Sequence, residues 1–360
     1  MNLLEGNLLE KLTILILSKN REKELCQVTN FWLNTPCSVV IVHDSLNPLK
    51  LNTSNPKLKY LNSSLPILLR LALASKQITT PYTIICNDDE ILLIDSLKKF
   101  INIMEHDAQI DAIGGQVISY NWAGKHLLGN RIYPHLLNFS NMNEIPINRI
   151  KATFEINNTL DVYLLFRSDQ FKKIVKCCEQ FHEFKTPEMY ETMWAVFSSY
   201  FCRTLRMNDI YWMRNWFTPF HHSDSFDRNL GWGEWCRDPR FRSEVSKWIN
   251  TFKMVLSNET NLSEMQIESL AEILLQYNQK EACTELPQKS IIKSSFKIFL
   301  KKIIPNFLIW NIQTKLPFMR SKLMHNFDSV IYSQYSHAQI SDQDVKLFKY
   351  FAKQQKKLYD

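Results

Sequence analysis

The feature that most constrains this chain is an alternation running through its first 120 residues. Short unbroken runs of Val, Ile and Leu, as in LTILIL (12–17), SVVIVH (38–43) and YTIIC (82–86), are separated by helix-length segments with apolar residues on one side. A strand apolar at every position is covered on both faces, and strands joined through helices run parallel. The pattern predicts an α/β fold, a mostly parallel Rossmann-like sheet flanked by helices. Strands are expected at 12–17, 38–43, 58–61, 82–86 and 111–119, with helices at 21–33, 66–77 and 91–104. From Gly124 to Lys151 the sequence reads as loop. A strand at 160–166 then leads into a helix ending near Cys178, and Thr186-Pro187 opens another that runs to about Arg203. Thr supplies the cap there and Pro the pre-set first turn. On that helix Met189, Met193, Val196 or Phe197, and Tyr200 make an apolar stripe, opposite Glu188, Glu191, Ala195 and Ser198. A strand at 209–213 closes the series.

In sheets of this kind ligands sit at the carboxyl ends of the strands. Three polar segments fall there: Ser18-Lys19-Asn20-Arg21 after the first strand, His43-Asp44-Ser45 after the second, and Asn87-Asp88-Asp89-Glu90 after the 82–86 strand. The last is the most demanding, because clustered carboxylates repel one another and need a positive partner. A divalent metal is one answer, since Mg²⁺ and Mn²⁺ prefer oxygen ligands. The plainer alternative is that these acids open the helix expected near Ile91, where they would favour the helix dipole.

The eight cysteines are scattered without C-x-x-C spacing, which fits reduced thiols. The first twelve residues carry Glu5 and Glu10 where an export signal would want basic residues, and the run 12–17 is too short to span a bilayer. A cytoplasmic location is therefore expected. The formal charge of +7 is uneven: Leu286 to Phe327 contains no Asp or Glu but accumulates lysines. Within it SIIKSSFKIFLKKII (290–304) reads as a basic amphipathic helix, suited to an anionic membrane surface or to packing on the protein.

KLTILILSKNREKEL, SVVIVHDS and TTPYTIICNDDEILL, in this order and spacing, resemble the nucleotide-binding half of a GT-A glycosyltransferase of the family 2 type. LDVYLLF followed by Arg167-Ser168-Asp169, the acid-led helix at Glu188 to Glu191, and Met213-Arg214-Asn215 resemble a bacterial subgroup that makes surface polysaccharides. The resemblance spans about residues 11–250 and leaves out the tail. It implies transfer of a sugar, with inversion, from a nucleotide-diphosphate donor to a glycan or lipid-linked acceptor, with Mn²⁺ or Mg²⁺ as cofactor. Ser18, Asn20, Arg21, Asp44 and Asp88 are implied to bind the donor, with Asp44 on the base or ribose. The acidic motif departs from Asp-x-Asp, so the implied metal ligand is Asp89 or Glu90, with Asp88 in support; we take Asp89. His222, in the aromatic loop, is implied to complete the coordination. Glu191 is the implied general base, with Glu188 as its alternative in the helix's first turn.

The implied organisation is a catalytic domain at 1–255, divided near residue 120 into donor and acceptor halves, a helical segment and linker at 256–285, and a basic helical region at 286–360. That last region would place the enzyme at the inner face of the membrane. Oligomers are compatible with it. A sugar nucleotidyltransferase would instead need a glycine-rich loop after the first strand, and this chain has only seven glycines, none in that turn. A nucleic-acid-binding protein would carry a recognition motif, and the basic tail has none.

Overall fold

Alternation along the strands sorts the core into two layers. In β1 (Leu12–Lys19), Leu12, Ile14 and Ile16 enter one layer and Leu15 the other; in β2 (Ser38–Asp44), Val39 and Ile41 enter the first, Val40 and Val42 the second. This is the period of two that a pleated strand imposes. The structure, a computed structural model, describes residues 8–47, 49, 55–123, 125–133, 136, 139–156, 160–184, 187–215, 235–236, 238–283, 325–327, 330–331 and 340–358.

The sheet has ten strands. Its parallel half runs β3 (Leu58–Asn62), β2, β1, β4 (Tyr82–Ile85). β8 (Leu165–Arg167) then joins β4 to β6 (Ala112–Ala123), and β7 (His126–Ile132) and β10 (His325–Asn326) follow. β9 (Thr204–Asn215) lies parallel to β6 and pairs antiparallel with the short β5 (Ile91–Leu92). Helices α1 (Glu22–Leu33) and α3 (Ile94–His106) cover the first layer. α2 (Ile67–Ser75), α4 (Pro146–Glu155), α5 (Ser168–Cys178), α6 (Pro187–Phe201), α7 (Arg242–Glu259) and α8 (Glu264–Cys283) supply the second. The expected α/β sheet with helices on its faces is the observed architecture.

Several local expectations are corrected. The stretch 124–151 holds β7 and the start of α4 rather than loop. The helix expected from Ile91 begins at Ile94, because Ile91 and Leu92 are taken by pairing with Met213 and Trp212. Asp88 to Glu90 therefore precede the helix and are not its first turn. The 160–166 strand is a 3-10 turn (Leu160–Tyr163) leading into β8. On α6, Ala195 and Ser198 are as buried as Met193 and Phe197, so the stripe becomes a nearly all-round buried face. A boundary at residue 255 falls inside α7.

The final helix, α9 (Asp342–Lys356), belongs to the first layer of the core rather than to an appendage. Phe348 packs against Tyr120 and Phe327 at ring-centroid distances of 4.9 and 4.7 Å, and Trp122 Nε1 donates to the Ala352 carbonyl at 3.2 Å. Its N-terminus caps that of α3. The Asp344 carboxylate accepts from the Ile94 and Asp95 amides at 3.2 and 3.1 Å. Ser341 Oγ accepts from the Asp344 amide at 3.0 Å and donates to Asp95 Oδ2 at 2.6 Å. These bonds satisfy amides that a helix start otherwise leaves open. Burial and the neighbouring Asp95 push the Asp344 carboxyl up to about 6. The basic stretch 290–304 lies outside the described residues.

Replacing Asp344 by Ala is expected to lower the stability of the full chain by about 1–2 kcal/mol, the usual worth of a lost cap. Urea denaturation measures this, and an unchanged midpoint would show that the shared cap contributes nothing.

Candidate functional site

The three polar segments at the ends of β1, β2 and β4 meet. Asn20 adopts a left-handed backbone (φ 52°), a conformation Asn tolerates better than most residues. Its amide is tied to the Asp44 carbonyl at 3.1 Å, so the chain leaving β1 turns sharply at the end of β2. Lys19 Nζ reaches Asp44 Oδ2 at 3.0 Å. The turn brings Arg21 over the acidic segment. Arg21 Nη1 donates to Asp88 Oδ1 and Nη2 to Asp89 Oδ2, each at 2.7 Å. Ser18 Oγ donates to the second Asp88 oxygen at 2.6 Å.

Arg21 is thus the positive partner the acids need. Burial works against its charge, but Asp89 and Asp88 outweigh that, and the guanidinium is held protonated above its ordinary range. Burial, with the Asp89 carboxylate close by, pushes the Asp88 and Glu90 carboxyls up. Asp88, Asp89 and Glu90 are 4%, 7% and 3% exposed, so water screens their mutual repulsion weakly. The planar fork of an arginine suits two adjacent carboxylates, which a lysine could not bridge in the same way.

Glu90 faces away from Arg21 into a second cluster. Its Oε2 accepts from Trp212 Nε1 at 2.7 Å and from Asn87 Nδ2 at 2.8 Å, while Arg214 Nε lies 3.5 Å from Oε1. Asn87 also donates to the Tyr163 hydroxyl at 3.2 Å, and the Tyr163 ring stacks on Trp212 at 4.1 Å. Arg214 Nη1 donates to the hydroxyl of Tyr133, itself left-handed at φ 58°. Glu191, exposed on α6, lies close enough that its charge acts on Arg214, Tyr133 and Tyr163. β9 and α6 thereby bring Glu191 beside the Glu90–Arg214 cluster.

Among the sequence-predicted residues the structure gathers Ser18, Asn20, Arg21, Asp44, Asp88, Asp89 and Glu90, with Glu191 nearby. The Glu188 side chain and His222 lie outside what is described. Sequence reasoning missed Arg70, buried under the site with Nη1 on the Ser18 carbonyl at 2.9 Å, and Tyr163, and neither advertises itself. Trp212 was readable: two positions from Arg214 on one strand, it must share that residue's face.

Among the described residues no three His, Cys, Asp or Glu side chains converge as a ready metal cage. Magnesium-type ions, however, are often held by one or two carboxylates together with substrate phosphates. Asp89 fits that pattern, because it gives one oxygen to Arg21 and the structure assigns no bond to the other. Both Asp88 oxygens are engaged, and Glu90 is turned toward Trp212, Asn87 and Arg214.

No protein-family model and no curated protein matches this sequence. The chain is similar to solved structures of S. aureus TarS. With TarS 1–349 in complex with UDP-GlcNAc the TM-score is 0.49 at 14% identity, covering 74% of this chain and 72% of that one. With TarS 1–349 in complex with UDP it is 0.47 at 12% identity, over 74% and 70%. With a longer TarS structure it is 0.44 at 13% identity, over 75% of this chain and 53% of that one.

Replacing Arg21 by Met leaves two buried carboxylates without their cation, and removal of one partner from such an arrangement costs about 3–5 kcal/mol. A melting temperature equal to that of the unaltered protein would show that Arg21 is not what offsets the repulsion.

Proposed function

We propose that this protein is a glycosyltransferase that moves a sugar, with inversion, from a nucleotide-diphosphate donor to a glycan or lipid-linked acceptor in surface polysaccharide synthesis, at the cytoplasmic side of the membrane. The observation that carries the reading is the Arg21-bridged pair Asp88 and Asp89 at the end of β4, beside Asp44 at the end of β2, with Glu191 close to the neighbouring Arg214. The order of these segments along the chain, which resembles the GT-A pattern, supports it. No helix among the described residues is long and apolar enough to cross a membrane.

In this reading the donor lies across the carboxyl ends of β1, β2 and β4, with Asp44 accepting hydrogen bonds from its base or ribose. Asp89 would hold Mn²⁺ or Mg²⁺ through the oxygen that Arg21 leaves alone. Such an ion, shared with the donor phosphates, offsets the negative charge that grows on the leaving nucleotide. Asp88 is the fixed member of the pair: held by Ser18 and Arg21, it keeps the guanidinium in place and so orients Asp89. Glu191, exposed toward the acceptor side, takes the proton from the attacking hydroxyl, a role worth typically 10²- to 10⁴-fold. The buried Trp212 and the half-buried Asn87 hold Glu90, and through it Arg214, between the two carboxylate roles.

A panel of nucleotide sugars, incubated with and without Mn²⁺ and assayed for transfer or hydrolysis, tests this directly. Asp89→Ala should abolish the metal-dependent reaction, and near-full turnover by that variant would overturn the metal assignment. Asp44→Ala should raise the apparent KM for donor more than it lowers kcat. Glu191→Gln should bind nucleotide normally yet turn over at least about 10²-fold more slowly. If Glu188→Gln behaves so and Glu191→Gln does not, the base is Glu188.

A further inference from the structure

α1 and α9 lie side by side on the first face of the sheet, with Phe31 of α1 edge-on to Phe351 of α9 at 5.7 Å. They do not close completely. Between them runs a groove of about 600 Å³, within the usual range for small-molecule sites. Phe31, Leu347, Phe351 and Leu358 give it apolar walls. Among the described residues the charged side chains lining it are Lys23 and Lys357, both exposed, and none is a carboxylate. Gln27 stands in the wall, its amide atoms buried and without a hydrogen-bond partner.

The outer surface of α9 continues the same chemistry. Lys346, Tyr350, Lys353 and Lys357 are exposed and recur at helical spacing, so they form one stripe along the groove's edge. Tyr350 is 63% exposed in the middle of it. Lysines with a tyrosine among them, next to an apolar slot, suit an interface that is charged outside and oily within.

We propose that this groove is a lipid-binding site: it takes an acyl chain of an anionic membrane lipid, whose phosphate headgroup is met by Lys23 and Lys357, with Lys346 and Lys353 on neighbouring headgroups. A hydrated polyanion such as nucleic acid or an acidic glycan would match the lysines but leave the apolar walls unmet. The amphiphile uses both. This site is separate from the 290–304 stretch and does not depend on the glycosyltransferase reading. It does begin on the same helix as the active-site turn, since Lys23 is two residues from Arg21.

Cys26, half-buried in the groove wall beside Asn30, provides a local reporter. The full chain is mixed with phosphatidylglycerol or phosphatidylcholine vesicles, sedimented, and treated with a maleimide; labelling is read peptide by peptide, with Cys236 as control. Binding to the anionic vesicles that falls with salt, with Cys26 labelling slowed several-fold and Cys236 unchanged, is expected. Lys353→Glu/Lys357→Glu, both on exposed positions, should weaken vesicle binding at least about tenfold, because each surface lysine is worth about 1 kcal/mol near an anionic leaflet. Anionic-vesicle binding that persists in this variant with Cys26 labelled at the free rate would overturn the proposal and assign attachment to another surface. Protection of Cys26 by heparin or DNA but not by vesicles would overturn it in favour of a polyanion. Absence of vesicle binding altogether would also overturn it.

Discussion

The ligand end of this sheet depends on one guanidinium lying across two neighbouring carboxylates. Asp88 and Asp89 are adjacent in the chain, both buried, and would not tolerate each other unpaired. Arg21 can reach both because the chain reverses at Asn20, and that reversal is held by the last rung of the β1–β2 ladder, where Lys19 stands opposite Asp44. The geometry of the acids is therefore inherited from the register of three parallel strands. A one-residue slip between β1 and β2 would unseat Arg21 as surely as its removal, since side chains alternate faces with each step.

This dependence explains what was legible beforehand. Unbroken runs such as SVVIVH have few other fates than a doubly covered strand, and topology then dictates that the polar residues following each run share one edge. Ser18, Arg21, Asp44 and the acidic segment could thus be grouped without any contact being seen. What could not be read were arrangements decided far away in sequence. Ile91 and Leu92 look helical locally but are claimed by Trp212 and Met213. The Asn- and Pro-rich stretch before Lys151 hides β7, whose residues are mostly half-exposed and carry little apolar signal, and α4, whose Pro146 marks a helix start rather than a break. Ala195 and Ser198 looked like a solvent face because α6 was imagined on a surface, whereas it is wedged among α4, α5 and the 160–163 turn. Arg70 has no pattern to betray it, because its importance lies in one bond to the Ser18 carbonyl.

The two carboxylate clusters are also unlike in kind. Asp88 and Asp89 meet a flexible-stemmed arginine at the edge of solvent, with one oxygen left over. Glu90 is locked by an indole, a carboxamide and a second arginine, and the aromatic stack of Tyr163 on Trp212 closes over it. One cluster is thus rigidly supported and the other keeps a carboxylate oxygen that the structure leaves unassigned.

The capping of α3 by Asp344 of α9 joins Ile94 to a residue 250 positions further along. A ribosome making roughly 5–20 residues per second needs on the order of 10–50 s to cover that distance. During that interval α3 begins uncapped, two residues after the β5 segment that follows the acidic turn, and Tyr120 has no Phe348 to rest on. The first layer of the core is therefore completed only when α9 arrives, and a chain lacking α9 would expose Phe31, Tyr120 and Phe327 together. Until α9 docks, that apolar surface is of the kind that makes partly folded chains prone to aggregate.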